Sequence, residues 1–401
     1  MQDSFNGVPV FILAGGVGER LAPLTEFRPK PVLSFGGTHQ ILDFTISNCV
    51  NSGLRNIYVL TQYRRDHLHD YIRATRVKLP KTSGGSAGKL VPLPPASGRT
   101  YRGTSDAVFQ NLPLLVSDVG EHVLITAGDH IYSMDYRPLI SHHIATGAKM
   151  TMAAVRRPAS EASSFGVLEM DGDRVTRFTE KPSRELLPTD GNVLVSMGIY
   201  VFRKDCLVDL ARRTALSETD FGRHVVPRLV RRQDVAVYDF SRCAPSYWRD
   251  VGTLDSYFHA NMDLLGPHAS FDLNMSRGWP IISLNDPVTV GTAGSRISRR
   301  ALVGPSVIRH SIISHGSCID SGATVENSIV LPGARVGRGA LLRNAIVSEG
   351  VRISDGAEIG VNLGLDRRRF AVTPSGIVVV NTVLRRIAEP RSTLTNAASA
   401  A

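Results

Sequence analysis

Little in this chain points to oxidised, zinc-clustered or membrane-embedded chemistry. Its four cysteines, Cys49, Cys206, Cys243 and Cys318, are scattered, form no C-x-x-C pair and have no histidine cluster nearby. Such a set builds neither a disulfide framework nor a structural zinc site, and it fits reduced residues in a cytoplasmic protein. No stretch reaches the roughly 18 apolar residues of a membrane helix, so no membrane partner is expected. Met1 to Val8 lacks a basic stretch followed by a long apolar run, and no signal peptide is expected there. Zinc-finger spacing and Arg/Lys runs interleaved with aromatics are also missing, which removes the sequence grounds for a nucleic-acid partner.

What is present suits two or three domains with a real core: 401 residues, 42% hydrophobic and 20% charged. The net charge of +10 is spread along the chain. A positive field of this kind steers anions inward; solvated surface arginine accounts for part of the same excess.

The first two-thirds alternates strand and helix signals. Val8 to Ala14 is a continuous apolar run, the mark of a buried parallel strand, and it stops at Gly15-Gly16-Val17-Gly18. Leu42, Ile46, Cys49 and Val50 recur at helical spacing, with Gly53 where the helix would end. Ile57 to Thr61 and Val123 to Ala127 read as further strands, the latter running straight into Gly128-Asp129-His130. This order predicts a doubly wound α/β domain with its ligands at the carboxyl ends of the strands. Lys81 to Arg99, rich in Gly, Ser, Pro and Lys, is expected to be a mobile loop. From about residue 265 to Ser295 the chain reads as a connector. A six-residue period then appears at Ile313, Ile319, Val325 and Leu331 and, after a phase shift, at Leu341, Val347, Ile353 and Ile359. Glycines such as Gly316, Gly322, Gly333 and Gly350 fall between them. Hexapeptide repeats of this kind predict a left-handed parallel β-helix with these apolar residues pointing inward. The Ala/Ser/Thr-rich end is expected to fray.

Gly15-Gly16-Val17-Gly18-Glu19-Arg20 follows a strand, so its backbone N–H groups can face a phosphate beside a helix N-terminus. It is not the dinucleotide fingerprint, because Leu21 stands at the third glycine, and no Gly-Lys-Ser/Thr follows to make a Walker loop. Arg20 and Lys30 are two cations downstream of the turn, suited to a triphosphate; a plain tight turn with surface cations is the bland reading. Asp129 and Asp250 each read as a cap or surface acid when taken alone. As a pair they could hold one Mg²⁺, a hard cation bound by a few carboxylates and substrate phosphates.

These segments, with Tyr101-Arg102-Gly103-Thr104, Glu180-Lys181-Pro182, Ser196-Met197-Gly198-Ile199-Tyr200, Asp220-Phe221-Gly222 and Tyr247-Trp248-Arg249-Asp250-Val251-Gly252, occur in one order. That order resembles the bacterial ADP-glucose pyrophosphorylases, from about Val8 to Leu384. The resemblance implies a Rossmann-like nucleotidyltransferase domain with a mixed sheet over residues 1–264, a connector at 265–295, the β-helix at 296–384 and a tail at 385–401. It implies conversion of ATP and glucose 1-phosphate to ADP-glucose and diphosphate with Mg²⁺, supplying glycogen or α-glucan synthesis, in a cytoplasmic homotetramer. Arg20 and Lys30 would hold the triphosphate and the departing diphosphate, Asp129 and Asp250 the metal, and Lys181 the phosphate of glucose 1-phosphate. Leu13, Ala14, Gly15, Gly16, Gln62, Gly103 and Thr104 would line the nucleotide pocket. Tyr101, Gly166, Glu180, Ser196, Asp220, Phe221 and Trp248 would shape the sugar-phosphate site; for Tyr101, Phe221 and Trp248 core packing is the reading without the family.

The chain departs from the family pattern in several places. Glu19 stands where Thr, Ser or Lys is usual, Thr100 replaces a usual Trp, and Ser105 a usual Ala. Phe27, Ser34 and Gln40 stand where sugar-phosphate-activated members carry cations, whereas Arg28 and Arg367 to Arg369 are kept; Arg28 and Arg368 are therefore the candidate regulatory residues. Alternatives are a transferase using another base or sugar, such as a dTDP-glucose or GDP-mannose type, and a catalytically weak regulatory subunit. A hexapeptide acyltransferase is a third, with His310 or His315 as the catalytic histidine.

Overall fold

Val10, Phe11 and Ile12 are fully buried, yet they serve two different layers: Val10 and Ile12 pack in one apolar cluster and Phe11 in another. A strand shielded on both faces needs apolar residues at successive positions, which is why the run from Val8 does not alternate with polar residues. In the computed structural model, this strand, β1 (Val10–Leu13), lies inside a nine-stranded mixed sheet. The structure describes residues 5, 7–79, 88–115, 120–214, 217–243, 246–265, 273, 278–285, 288–290 and 294–381. They fall into two units: Met1–Phe35, His39–Ser256 and Ser270–Asn285 in one, Gly36–Thr38, Tyr257–Ala269 and Asp286–Ala401 in the other.

In the first unit the other strands are β2 (Asn56–Leu60), β3 (Lys89–Leu93), β4 (His122–Ala127), β5 (Met150–Pro158), β6 (Gly166–Asp171), β7 (Arg174–Glu180), β8 (Asn192–Arg203) and β9 (Val235–Asp239). Their order is β3-β2-β1-β4-β8-β5-β9-β7-β6. The first four are parallel, and β8 turns antiparallel to β4. Successive crossovers place β2 on one side of β1 and β4 on the other, so a topological switch point lies at the end of β1. Helix α1 (Ile41–Asn51) starts with a capping box between Gln40 and Asp43, and Gly53 follows its end with φ of +84°. No helix among the described residues is long and apolar enough to cross a membrane.

The loop expected over Lys81 to Arg99 is corrected for its middle: Lys89–Leu93 is the edge strand β3, paired with β2. Its Pro92 removes one ladder donor, which an edge strand tolerates and a central one does not. Residues 81–87 lie outside the described residues. A second correction concerns the glycine turn. The chain enters only a three-residue 3-10 turn, Glu19–Leu21, and not an α-helix, because Pro23, Pro29 and Pro31 remove the donors a longer helix needs.

In the second unit, parallel ladders stack Ile308 on Val325, Val325 on Leu342 and Leu342 on Ile359. The same stacking joins Ile313, Val330 and Val347, and also Ile319, Val336 and Ile353. From Val307 to Ile359 successive coils advance 17 residues, as the inter-coil bond from Ser328 N to Ser311 Oγ records. A strict six-residue period would need 18. The slip puts Val330 and Leu342, both fully buried, in the stacked core; the expected Leu331 is also buried, at 5% exposure, whereas the expected Leu341 keeps partial exposure. The corner residues His310, Asn327 and Asn344 take φ of +43°, +43° and +45°, a left-handed conformation that Asn tolerates best among residues with a Cβ. His310 is thus a coil-corner residue in line with two asparagines.

Candidate active site

The carboxyl ends of β1, β2 and β4 meet at a cleft of about 870 Å³, lined there by Leu13, Leu60 and Ala127. Ala14 N–H bonds Leu60 O at 3.0 Å and Gly128 N–H bonds Leu13 O at 2.9 Å, so the loops leave the sheet side by side. Gly15 and Gly16 line the cleft. Gly18, at φ of +72°, turns the chain back so that the Thr25 hydroxyl bonds its carbonyl at 3.0 Å. This turn delivers Arg20 to the rim and Lys30 to the floor.

Lys30 is 6% exposed. Its Nζ donates to Asp129 Oδ2 at 2.8 Å and Asp250 Oδ1 at 3.2 Å, across 99 and 220 residues of sequence. The two carboxylates meet because a short ribbon pairs His130–Tyr132 with Trp248–Asp250, setting Asp250 opposite His130. His130 Nε2 lies 3.5 Å from Asp129 Oδ1 and 3.9 Å from Asp250 Oδ1. One ligand atom each from Asp129, His130 and Asp250 falls within 4.8 Å of the others. Burial works to raise the Asp129 carboxyl, but Lys30 and His130 outweigh it and hold it below the usual range. The same pair of carboxylates raises Lys30 against the pull of its burial. Two acidic oxygens and an imidazole at this spacing make a donor set that suits a divalent cation. Gly252 leaves room for two side-chain ends: a Cβ on it would lie 2.8 Å from Arg20 Nη2 and 2.9 Å from Asp250 Oδ2 and would shift them.

On one wall, Gln62 pairs with the backbone of Tyr101, accepting from its N–H at 2.5 Å and donating to its carbonyl at 3.3 Å. The Tyr101 hydroxyl donates to Leu93 O at 3.0 Å and accepts from Asn111 at 2.9 Å. Gly103 and Thr104 open helix α2 (Thr104–Asn111). The Thr104 hydroxyl donates to Asp220 Oδ2 at 3.1 Å and accepts from Phe221 N–H at 2.9 Å, which ties this wall to the next. Ser105 is buried and donates to Glu218 O at 2.8 Å. Glu180 ends β7 with its carboxylate over the bare backbone of Gly222, where a Cβ would meet Oε2 at 2.6 Å. Burial pushes the Glu180 carboxyl up, and Lys181 offsets this in part. Lys181 holds a left-handed backbone at φ of +45°, with its Nζ 3.9 Å from Glu180 Oε1.

The described family "Nucleotidyl transferase" matches residues 9–266, and "GlmU-like, C-terminal hexapeptide" matches residues 284–380. The chain is 43% identical over 396 residues to "Glucose-1-phosphate adenylyltransferase 1" of Alkalilimnicola ehrlichii, covering 92% of each chain. It is 38% identical over 403 residues to "Glucose-1-phosphate adenylyltransferase 2" of Vibrio cholerae, covering 95% of this chain and 98% of that one. The chain belongs to the glucose-1-phosphate adenylyltransferase family.

Members of the wider nucleotidyl transferase class generally use a divalent metal, which accords with the Asp129–His130–Asp250 grouping. Most residues that the family pattern nominates line the cleft, including Arg20, Lys30, Gln62, Asp129, Lys181 and Asp220. Three do not. Trp248 is 2% exposed and lies behind the site, edge-on to His130 at 5.2 Å and under the Arg157 guanidinium at 5.4 Å. Ser196 is buried, and its oxygen accepts from Gly198 N–H at 3.2 Å while Gly198 and Tyr200 face the cleft. Gly166 sits beneath Phe178, where a Cβ would meet the ring at 2.3 Å. These three shape the walls from behind. Among the cleft residues that were not nominated from sequence are His130 and Gly252. Both stand in segments of the family pattern, His130 next to Asp129 and Gly252 two residues after Asp250, and that was the available signal. Glu19 lies exposed on the rim. Arg28 belongs to the first unit and Arg368 to the second.

Proposed function

We propose that this chain transfers an adenylyl group from ATP to glucose 1-phosphate with Mg²⁺, forming ADP-glucose for glycogen or α-glucan synthesis and releasing diphosphate. The observation that carries the reading is the Lys30–Asp129–Asp250 cluster beside the glycine turn, in a chain of this family. The cleft volume falls within the roughly 300–1,000 Å³ usual for small-ligand sites. A phosphate oxygen of glucose 1-phosphate attacks the α-phosphorus in line; the new P–O bond forms as the bond to the β-phosphate oxygen breaks, and diphosphate leaves with the electron pair. The attacking oxygen is already ionised, so no general base is needed, and the work is positioning and charge neutralisation. Arg20 and Lys30 face the phosphates of ATP and Lys181 that of the sugar. Asp129 and Asp250, with His130 adjacent, would hold Mg²⁺, which lends positive charge to the triphosphate. Gln62 and Thr104 hold the nucleotide and sugar walls in register.

The catalytic domain is assigned to residues 1–264 and the β-helix to 296–384, joined by 265–295. We assign a cytoplasmic homotetramer, in keeping with the reduced cysteines and the stacked coils; sedimentation as a stable, active monomer would defeat the oligomer. Weak activation by fructose 1,6-bisphosphate, severalfold at most, is expected from the cations missing at Phe27, Ser34 and Gln40.

The test is diphosphate release from each of four nucleoside triphosphates with glucose 1-phosphate, ATP being preferred. Asp129→Asn and Asp250→Asn should each lower turnover about 100-fold or more with the fold intact. Near-normal turnover at saturating Mg²⁺ in either variant removes that residue from the mechanism.

A further inference from the structure

We infer that Lys30 is an internal stand-in for the divalent cation: without nucleotide its ammonium occupies Asp129 and Asp250, and the metal enters only as the nucleotide's phosphates draw that ammonium away. The inference rests on the assignment of these two carboxylates to the metal.

Lys30 Nζ lies 2.8 Å from Asp129 Oδ2 and 3.2 Å from Asp250 Oδ1, so it takes up one oxygen of each carboxylate. An ammonium has three donors and no lone pair, so it satisfies both carboxylates but cannot share a site with another cation. Its side chain is 7% exposed. A metal that displaced it in the absence of nucleotide would leave a desolvated ammonium without its counter-ions and a few ångströms from a second positive charge, and both effects oppose binding. The Arg20 guanidinium adds positive charge near Asp250, since Nη2 and Asp250 Oδ2 both fall within 3 Å of where a Gly252 Cβ would stand.

The nucleotide changes this balance. The base of the Lys30 side chain packs on the glycine turn: a Cβ on Gly18 would lie 3.2 Å from Lys30 Cβ. A triphosphate cradled by that turn is within the swing of a four-carbon stem, and it offers the ammonium new acceptors. Asp129 and Asp250 are then released to the metal. Lys30 therefore couples the two ligands, and by linkage each tightens the other by the same factor.

The probe is Mn²⁺, followed by the loss of its free-ion electron paramagnetic resonance signal, with the Mn²⁺ held by ATP alone measured and subtracted, and with no glucose 1-phosphate and hence no turnover. The enzyme should bind Mn²⁺ at least tenfold more weakly without ATP than with it. Lys30→Met should bind Mn²⁺ at least tenfold more tightly than the parent without ATP, and adding Asp250→Asn should abolish the gain. Lys30→Arg, which keeps the charge, should stay as weak as the parent. Equal Mn²⁺ affinity of the parent with and without ATP overturns the stand-in, and this requires no variant to fold. So does Lys30→Met binding no more tightly than the parent. A different result sinks the metal assignment itself: enzyme-bound Mn²⁺ in the presence of ATP that survives both Asp129→Asn and Asp250→Asn.

Discussion

A Cβ on Gly103 would lie 2.3 Å from the carbonyl oxygen of Thr219, so these two segments touch through bare backbone. That carbonyl also accepts from Ser105 N–H at 3.0 Å, and Asp220 and Phe221, which line the cleft, follow directly. Gly103→Ala must push the two segments apart. We expect a stability loss of about 1–3 kcal/mol and a raised KM for glucose 1-phosphate. Gly16→Ala meets no atom within 4 Å and should unfold at the parental urea midpoint. Equal midpoints for both variants would contradict the contact.

Lys181 is committed to the cleft by its backbone. Its N–H bonds Phe165 O at 3.0 Å, and its φ is +45°. A charge-assisted contact to the sugar phosphate is worth about 1.5–3 kcal/mol, so Lys181→Gln should raise KM for glucose 1-phosphate by about tenfold or more. KM for ATP should stay within about twofold. Equal effects on both substrates would reassign the residue.

The 17-residue coil separates two adjacent leucines. Leu342 is fully buried between Val325 and Ile359, whereas Leu341 keeps partial exposure. Leu342→Ser should cost about 3–5 kcal/mol and Leu341→Ser about 1 kcal/mol or less, read by thermal melting. An 18-residue register would reverse that order.

His143 is 1% exposed, its Nδ1 lies 2.8 Å from Thr151 Oγ1, and its ring stands edge-on to His122. Burial first, and the neighbouring imidazole and Arg203 next, lower its pKa to about 4. The unfolded chain takes up a proton near 6.5 and the folded chain only near 4, so stability is full above pH 6.5 and falls as pH drops through that window. The loss is at most about 3 kcal/mol. Urea midpoints at pH 7 and 4.5 should diverge less in His143→Gln than in the parent; identical divergence would exclude His143 as the source.

Much of this was legible locally. The unbroken run at Val10, Phe11 and Ile12 announced a doubly shielded strand, and the spacing of Leu42, Ile46 and Cys49 announced α1. The family segments nominated the charged residues of the cleft. Lys89–Leu93 was not legible, because an edge strand tolerates the Pro and flanking Gly that mark a loop. Trp248 and Ser196 were placed in the cleft because a segment can be recognised without showing which of its side chains faces inward.

The sequence by itself determined the kinds of element, their order and the repeat, since these depend on periodicities and backbone preferences that act over a few residues. The tertiary structure alone decided that Lys30, Asp129 and Asp250 share one site across 99 and 220 residues, and that the coils from Val307 to Ile359 close in 17 residues. Both depend on register. One is set by the ribbon that pairs His130 with Asp250, the other by the ladder that pairs Val325 with Leu342. Register is a relation between distant strands that neither strand carries alone.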